Sequence, residues 1–213
     1  MVVNQDWATA VPGLFASGEA VGGVHGANRL PGGAFGETQV SAVRAARKAV
    51  EEAKNIPFTN VDFEVAVALK KKIADIEGRA VGVKPFEVRK NIQGTMWKKV
   101  GIIRTQKELE EAEAEFDRIV AEDLPRQAVD MKGSIYNRQV LEALEVENMA
   151  VVAKVICLSA ATRKESRGNH YRSDYPDLSH DWLKNIYIKV AGSRVEVKEK
   201  PVVVTKVPLE DLI

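Results

Sequence analysis

The chain has 213 residues, of which 45% are hydrophobic, and its 31 Lys and Arg nearly balance 30 Asp and Glu to give a formal net charge of +1. That length supports one or two domains with a sizeable core, and the balanced charge argues against nucleic acid or an acidic surface as a partner. No apolar run approaches the ~18 residues of a membrane span. The N-terminus has no charged segment followed by an apolar one, so no secretory signal is expected. The single cysteine, Cys157, cannot close an internal disulfide, and a reducing, cytoplasmic compartment is the expectation. His25, His170 and His180 stand far apart without ligand spacing, so no metal site is expected.

Taken in chain order, the first informative stretch is Val11 to Lys48. Gly13-Leu14-Phe15-Ala16 reads as a short buried strand. From Gly18 to Gly36 the loop carries seven glycines, at 18, 22, 23, 26, 32, 33 and 36, which lets backbone approach a ligand closely. From Glu37 the spacing of Val40, Val43, Ala46 and Val50 predicts a helix whose free N–H groups and positive dipole end point back at the loop. An anion or an electron-rich ring edge fits there, although a plain strand–loop–helix connection reads the same way.

Residues 51–60 read as the helix end and a linker broken by Pro57 and Asn60. Beyond them the pattern turns helical. Thr59 with Asp62 resembles a capping box, followed by Ala66, Leu69, Ile73 and Ile76 and a stop at Gly78. Pro85 opens the next helix, with Val88, Ile92 and Met96 as its buried stripe to Gly101. Thr105-Gln106-Lys107-Glu108 forms a capping box, and Leu109, Ala112, Phe116 and Ile119 follow at helical spacing until Pro125. Ser134 opens the longest helix, with Leu141, Leu144, Met149, Val152 and Ile156 toward the core, ending near Arg163. Amphipathic helices joined by short loops predict an antiparallel bundle. The alternation in 184–204 around Gly192-Ser193 predicts a small hairpin with a third short strand. The expected domains are therefore 1–55, the helical bundle at 56–170, and an extended segment with the hairpin at 171–213.

The run Gly13 to Leu30, GLFASGEAVGGVHGANRL, resembles the C-terminal end of the flavin domain in the fumarate reductase / succinate dehydrogenase flavoprotein family, which includes L-aspartate oxidase. His25-Gly26-Ala27-Asn28-Arg29-Leu30 is its specific part. The helices after Glu87 resemble that family's helical domain, and Arg163-Lys164-Glu165-Ser166-Arg167-Gly168 with His170-Tyr171-Arg172 resembles its exit from the last long helix. No two glycines stand at i and i+2, so the GxGxxG fingerprint that the family carries near its N-terminus is missing. The chain is thus expected to correspond to the C-terminal part of such a flavoprotein. Its fold class is mixed α/β: the end of a flavin-binding domain, a mainly α bundle and a short β segment.

The resemblance implies roles. Arg29 would hold a carboxylate of a dicarboxylic substrate, a planar fork suited to that geometry, with a plain ion pair as the alternative. His25 would contact substrate or shape the loop. Gly18, Glu19, Arg29, Ala34 and Phe35 would line the cofactor, Glu19 accepting from its hydroxyls and the amides of Ala34 and Phe35 facing the flavin. One departure stands out: the family commonly continues with Gly-Gly-Asn-Ser, where this chain has Pro31-Gly32-Gly33-Ala34, losing an amide side chain and stiffening the turn. Arg167, His170 and Arg172 read as a helix exit that packs toward the flavin domain or as an ion-pair network, and Cys157, Trp97 and Trp182 as packing residues. The implied whole is an FAD-dependent oxidoreductase interconverting fumarate and succinate or a related dicarboxylate. It needs the N-terminal flavoprotein part, works with an iron–sulfur electron-transfer subunit, and is inactive as this chain alone. A non-catalytic assembly or docking subunit is the alternative.

Overall fold

The computed structural model describes residues 1–57, 62–133, 135–191 and 194–204. The chain divides into two compact units, Met1–Asp62 and Phe63–Ile213.

The first unit opens with a tight turn rather than a strand. Leu14 N–H donates to Val11 O at 3.1 Å, with Pro12 and Gly13 as the central residues and Gly13 at φ +76°. Proline followed by a positive-φ glycine defines a type II turn. The strand expected over Gly13–Ala16 is therefore reduced to one antiparallel bridge, Ala8↔Phe15, because Gly13 turns the chain instead of extending it. A 3₁₀ turn, Gly18–Ala20, and a single long helix, α1 (Gly33–Ala53), complete the unit. Helix α1 starts four residues before the periodicity does. Only Ser41 and Ala45 of it are buried, and Val40, Val43 and Val50 are exposed.

The second unit is a helical bundle of α2 (Glu64–Gly78), α3 (Pro85–Lys99), α4 (Gln106–Arg118) and α5 (Arg138–Thr162). Pro85 occupies the start of α3, where a missing N–H costs nothing, and Lys84 N–H donates to the Glu87 carboxylate at 3.2 Å. Thr105 caps α4: its hydroxyl accepts from Glu108 N at 3.2 Å and donates to the Glu108 carboxylate at 2.9 Å. Leu109, Ala112, Phe116 and Ile119 are all fully buried, as their spacing predicts. After Ile119 the helix widens into a π-turn (Ile119–Asp123) and tightens to a 3₁₀ turn at Leu124–Arg126, where Pro125 ends it.

Helix α5 is the axis, and its buried stripe is displaced from the expected one. Leu141, Val152 and Ile156 are exposed, Leu144 and Met149 are half-buried, and the buried positions are Val140, Ala143, Val146, Ala150, Ala153, Cys157 and Ala160. Small residues on that face let α3 and α4 approach closely, and the large side chains of those two helices fill the core. The helix begins at Arg138, capped by the Asn137 side chain, which accepts from Val140 N at 3.2 Å. The expected start at Ser134 and the capping residue Thr59 lie outside the described residues. In α2 only Ile76 is fully buried, against Val129, Val140 and Ala143, while Leu69 is exposed. Gly82 admits no side chain: a Cβ there would lie 2.2 Å from Arg126 O, where Val83 and Gln127 form a parallel bridge.

Among the described residues, two small β pairs complete the unit. Strands β1 (Ile103–Arg104) and β2 (Tyr171–Arg172) pair in parallel, Ile103↔Tyr171. Strands β3 (Lys184–Ala191) and β4 (Arg194–Pro201) form the predicted antiparallel hairpin, with Lys184↔Pro201 at its open end. Gly192 and Ser193 lie outside the described residues. No third strand joins the hairpin among the described residues. No helix there is long and apolar enough to cross a membrane.

Candidate functional site

The site expected from the sequence lies in the first unit, in the loop that runs into α1. Gly18 anchors that loop. It sits at φ +62°, its N–H donates to Ser41 Oγ at 3.1 Å, and Ser41 Oγ in turn donates to Thr38 O at 3.2 Å. A Cβ on Gly18 would press on the Thr38 side chain at 3.1 Å, and the positive φ independently favours glycine. Gly18 thus holds the loop on α1, and its amide is already engaged. Glu19, next in the chain, is exposed.

From Val21 to Gly32 the loop is irregular, with left-handed glycines at 23, 26 and 32. Gly32 caps α1 without a side-chain hydrogen bond, and Gly33 N–H is satisfied by Leu30 O at 3.2 Å. Ala34 and Phe35 occupy the first turn, whose amides lie outside the intrahelical ladder at the positive end of the dipole. Ala34 is half-buried, and Phe35 is exposed. Arg29 is exposed four residues before the helix, and no ion pair to it occurs among the described residues. His25 is half-buried, with Nε2 4.0 Å from Glu37 Oε2 on α1. The other Glu37 oxygen, Oε1, is inaccessible and has no hydrogen-bond partner among the described residues. Sequence reading passes over Glu37, because a lone glutamate in a helix is usually solvated.

The second charged constellation, after α5, is an anchor. Glu165 is buried and accepts from Arg163 Nη1 at 2.6 Å, Arg167 Nε at 2.8 Å and Ser179 N at 2.9 Å. Burial alone would raise its carboxyl, but Arg167, the Ser179 amide and Arg163 together leave it below the usual range. Arg172 is completely buried. It grips Asp174 with Nε at 2.8 Å and Nη2 at 2.7 Å, caps α5 through Ala160 O at 2.9 Å, and reaches Gln106 Oε1 at 3.0 Å. Asp174 also accepts from Gln106 N at 2.8 Å, so the pair ties the start of α4 to the end of α5. His170 Nδ1 lies 2.9 Å from Arg104 Nη1, and burial followed by the charge of Arg104 lowers its pKa, which favours the neutral ring. These side chains are engaged with their own fold, as the ion-pair reading of this exit expects. Trp182 is half-buried under Arg163 and Lys184, but Trp97 is 80% exposed and is not a packing residue among the described ones. Cys157 is buried with its thiol pushed up to about 11 by burial, so it packs rather than reacts. No cluster of metal-binding side chains occurs among the described residues.

The comparisons with known proteins agree with this architecture. Residues 89–211 match the family described as fumarate reductase flavoprotein C-term, more than half of the chain. The chain belongs to the fumarate reductase / succinate dehydrogenase flavoprotein family. It is 38% identical over 187 residues to an FAD-dependent oxidoreductase of Methanocaldococcus jannaschii, an alignment spanning 88% of this chain and 33% of that protein. It is 36% identical over 184 residues to a component of the fumarate reductase (CoM/CoB) of Methanothermobacter marburgensis, spanning 86% of this chain and 33% of that one. Among solved structures, the Mycobacterium smegmatis Sdh1 complex matches with a TM-score of 0.85 and 32% identity, over 99% of this chain and 36% of the other. The E. coli quinol fumarate reductase chain FrdA matches with a TM-score of 0.87 and 25% identity, over 97% and 36%. The chain therefore spans about a third of the length of the relatives it matches.

Proposed function

We propose that this chain is the C-terminal part of an FAD-dependent oxidoreductase that interconverts fumarate and succinate, or a related dicarboxylate pair, and that it supplies one wall of the flavin and substrate site. The observation that carries this reading is Arg29. In a chain of this family, an exposed guanidinium stands in a glycine-rich loop just before a helix N-terminus, with no carboxylate of the described residues paired to it. Arginine in that setting offers a two-point contact to a substrate carboxylate.

The residues present fit one edge of a flavin and not the whole cofactor. The free first-turn amides of Ala34 and Phe35 suit an electron-rich ring edge, and the exposed Glu19 carboxylate suits ribityl or ribose hydroxyls. Gly18 acts on the site through the loop it pins to Ser41. No glycine fingerprint is present to cradle the cofactor phosphates. Bound flavin supplies the two-electron redox chemistry. The residues of this chain orient the substrate, with Arg29 on a carboxylate and His25, in the same loop, contacting substrate or shaping the loop. The remaining site groups belong to the complementary N-terminal part, and electron transfer to or from an iron–sulfur subunit completes the cycle.

The reading is tested by flavin content. The 213-residue chain purified alone is expected to be colourless, because half a site cannot offset the entropy lost in fixing the cofactor. Together with the complementary flavoprotein part it is expected to carry stoichiometric flavin and to reduce fumarate with an artificial donor. A stoichiometric flavin band from the chain alone would contradict the division of the site. A stable flavin-free oligomer that never joins a flavoprotein part would favour a docking role instead.

A further inference from the structure

Residues 26–32 form a loop that holds Arg29, and it runs directly into the first turn of α1, which carries the amides of Ala34 and Phe35. His25 stands just before this stretch and Glu37 just after it, on α1, and their side chains meet: Nε2 lies 4.0 Å from Oε2. The loop between them contains the left-handed glycines 26 and 32, which let it turn back onto α1. Its internal amide bond from Gly33 to Leu30 O fixes only the last turn before the helix. We propose that Glu37 is a positioning residue which, through His25, closes this loop and sets the direction in which Arg29 is presented.

Two further observations support the assignment. The Glu37 side chain is only 12% exposed, and its Oε1 is inaccessible and without a hydrogen-bond partner among the described residues. Helix α1 is itself pinned on its neighbouring face by Ser41 to Gly18, so Glu37 is held on a fixed element while His25 lies on a glycine-rich one. At 4.0 Å the carboxylate faces the Nε2 edge of the ring without being a hydrogen bond in this geometry.

This inference rests on the reading of Arg29 as the substrate-carboxylate ligand, and the test separates the two. In the flavin-loaded holoenzyme, Glu37→Gln, His25→Gln and the double variant are compared for fumarate reduction, with flavin content measured alongside. Glu37→Gln is expected to keep its flavin and lose roughly 10-fold or more in kcat/KM, mainly through a raised KM, as misdirection of a positioning group does. The double variant is expected to fall within about 2-fold of the worse single variant, because both changes open the same contact. Additive losses, an unchanged kcat/KM in Glu37→Gln, or a loss that only follows missing flavin would each overturn the proposal. Arg29→Lys serves as the reference. If it loses turnover while Glu37→Gln does not, the positioning role alone is wrong; if it keeps wild-type turnover, the substrate-site reading fails and this inference with it.

Discussion

Replacing Arg29 by lysine in the flavin-loaded holoenzyme is expected to lower kcat/KM for fumarate while leaving flavin content unchanged. Lysine keeps the positive charge but cannot make the planar two-point contact with a carboxylate. Losing a well-placed charged hydrogen bond beside the reacting bond costs on the order of 2–4 kcal/mol, which at ~1.4 kcal/mol per decade is roughly 30- to 1000-fold. Flavin retention follows because the groups proposed to hold it on this side are Glu19 and the first-turn amides of α1, and Arg29 is exposed and unpaired among the described residues. Steady-state fumarate reduction with an artificial donor, paired with a flavin assay, checks both halves. Wild-type turnover would reduce Arg29 to a surface charge.

The second large effect is structural. Arg172→Ala is expected to destabilise the helical unit by about 3–5 kcal/mol, the cost of breaking a buried ion pair and stranding its partners. Truncation removes the bidentate contact to Asp174 and leaves Ala160 O and Gln106 Oε1 without their donor. Lysine at the same position cannot reproduce the fork and should rescue little. The same pair predicts an acid limb. The Arg172 hydrogen bonds, reinforced by the Gln106 amide, hold the Asp174 carboxyl down to about 2 from an ordinary 3.8. A carboxylate that is more acidic in the folded state contributes its full stability above the unfolded value and loses it as pH falls through the folded one. The contribution should therefore be present above pH ~4, disappear between ~4 and ~2, and be absent at all pH values in Asp174→Asn. Urea denaturation followed by helical circular dichroism across that range measures it, and a parallel acid limb in Asp174→Asn would assign the effect elsewhere.

Much of the helical unit is legible in the sequence because its large residues are patterned. Leu109, Ala112, Phe116 and Ile119 all face the core, and Pro85 and Thr105 mark their helix starts, since steric and capping preferences act locally. Helix α5 misleads because the bundle buries its small face. The stripe of Leu141, Leu144, Met149, Val152 and Ile156 suggested by hydrophobicity lies beside a row of mostly smaller residues, four of the seven alanine, and close approach selects that row. Gly13 misleads because turn chemistry at Val11-Pro12-Gly13 overrides an apolar run. Residue type alone assigns Trp97 to packing, yet an isolated bulky residue carries no periodicity to place it.

The candidate site is legible through its motif, which singles out His25 and Arg29 on one loop. Glu37 is not, because its relation to His25 spans twelve residues and depends on how the loop folds back onto α1. The same is true of Gly18: the sequence marks it as a loop glycine, but only the fold shows its amide committed to Ser41. The anchor at Arg172 is visible as a charge cluster, whereas its link from the start of α4 to the end of α5 needs the parallel pairing of β1 with β2.

The central claim, that this chain presents Arg29 to a dicarboxylate beside a flavin, is tested most directly by titrating the oxidised, flavin-loaded holoenzyme with fumarate or the unreactive dicarboxylate malonate and recording the flavin difference spectrum. The account predicts a saturable perturbation in the wild type that is lost or strongly weakened in Arg29→Lys at equal flavin content. A spectrum that no dicarboxylate perturbs, or a perturbation of equal affinity in the lysine variant, would contradict it.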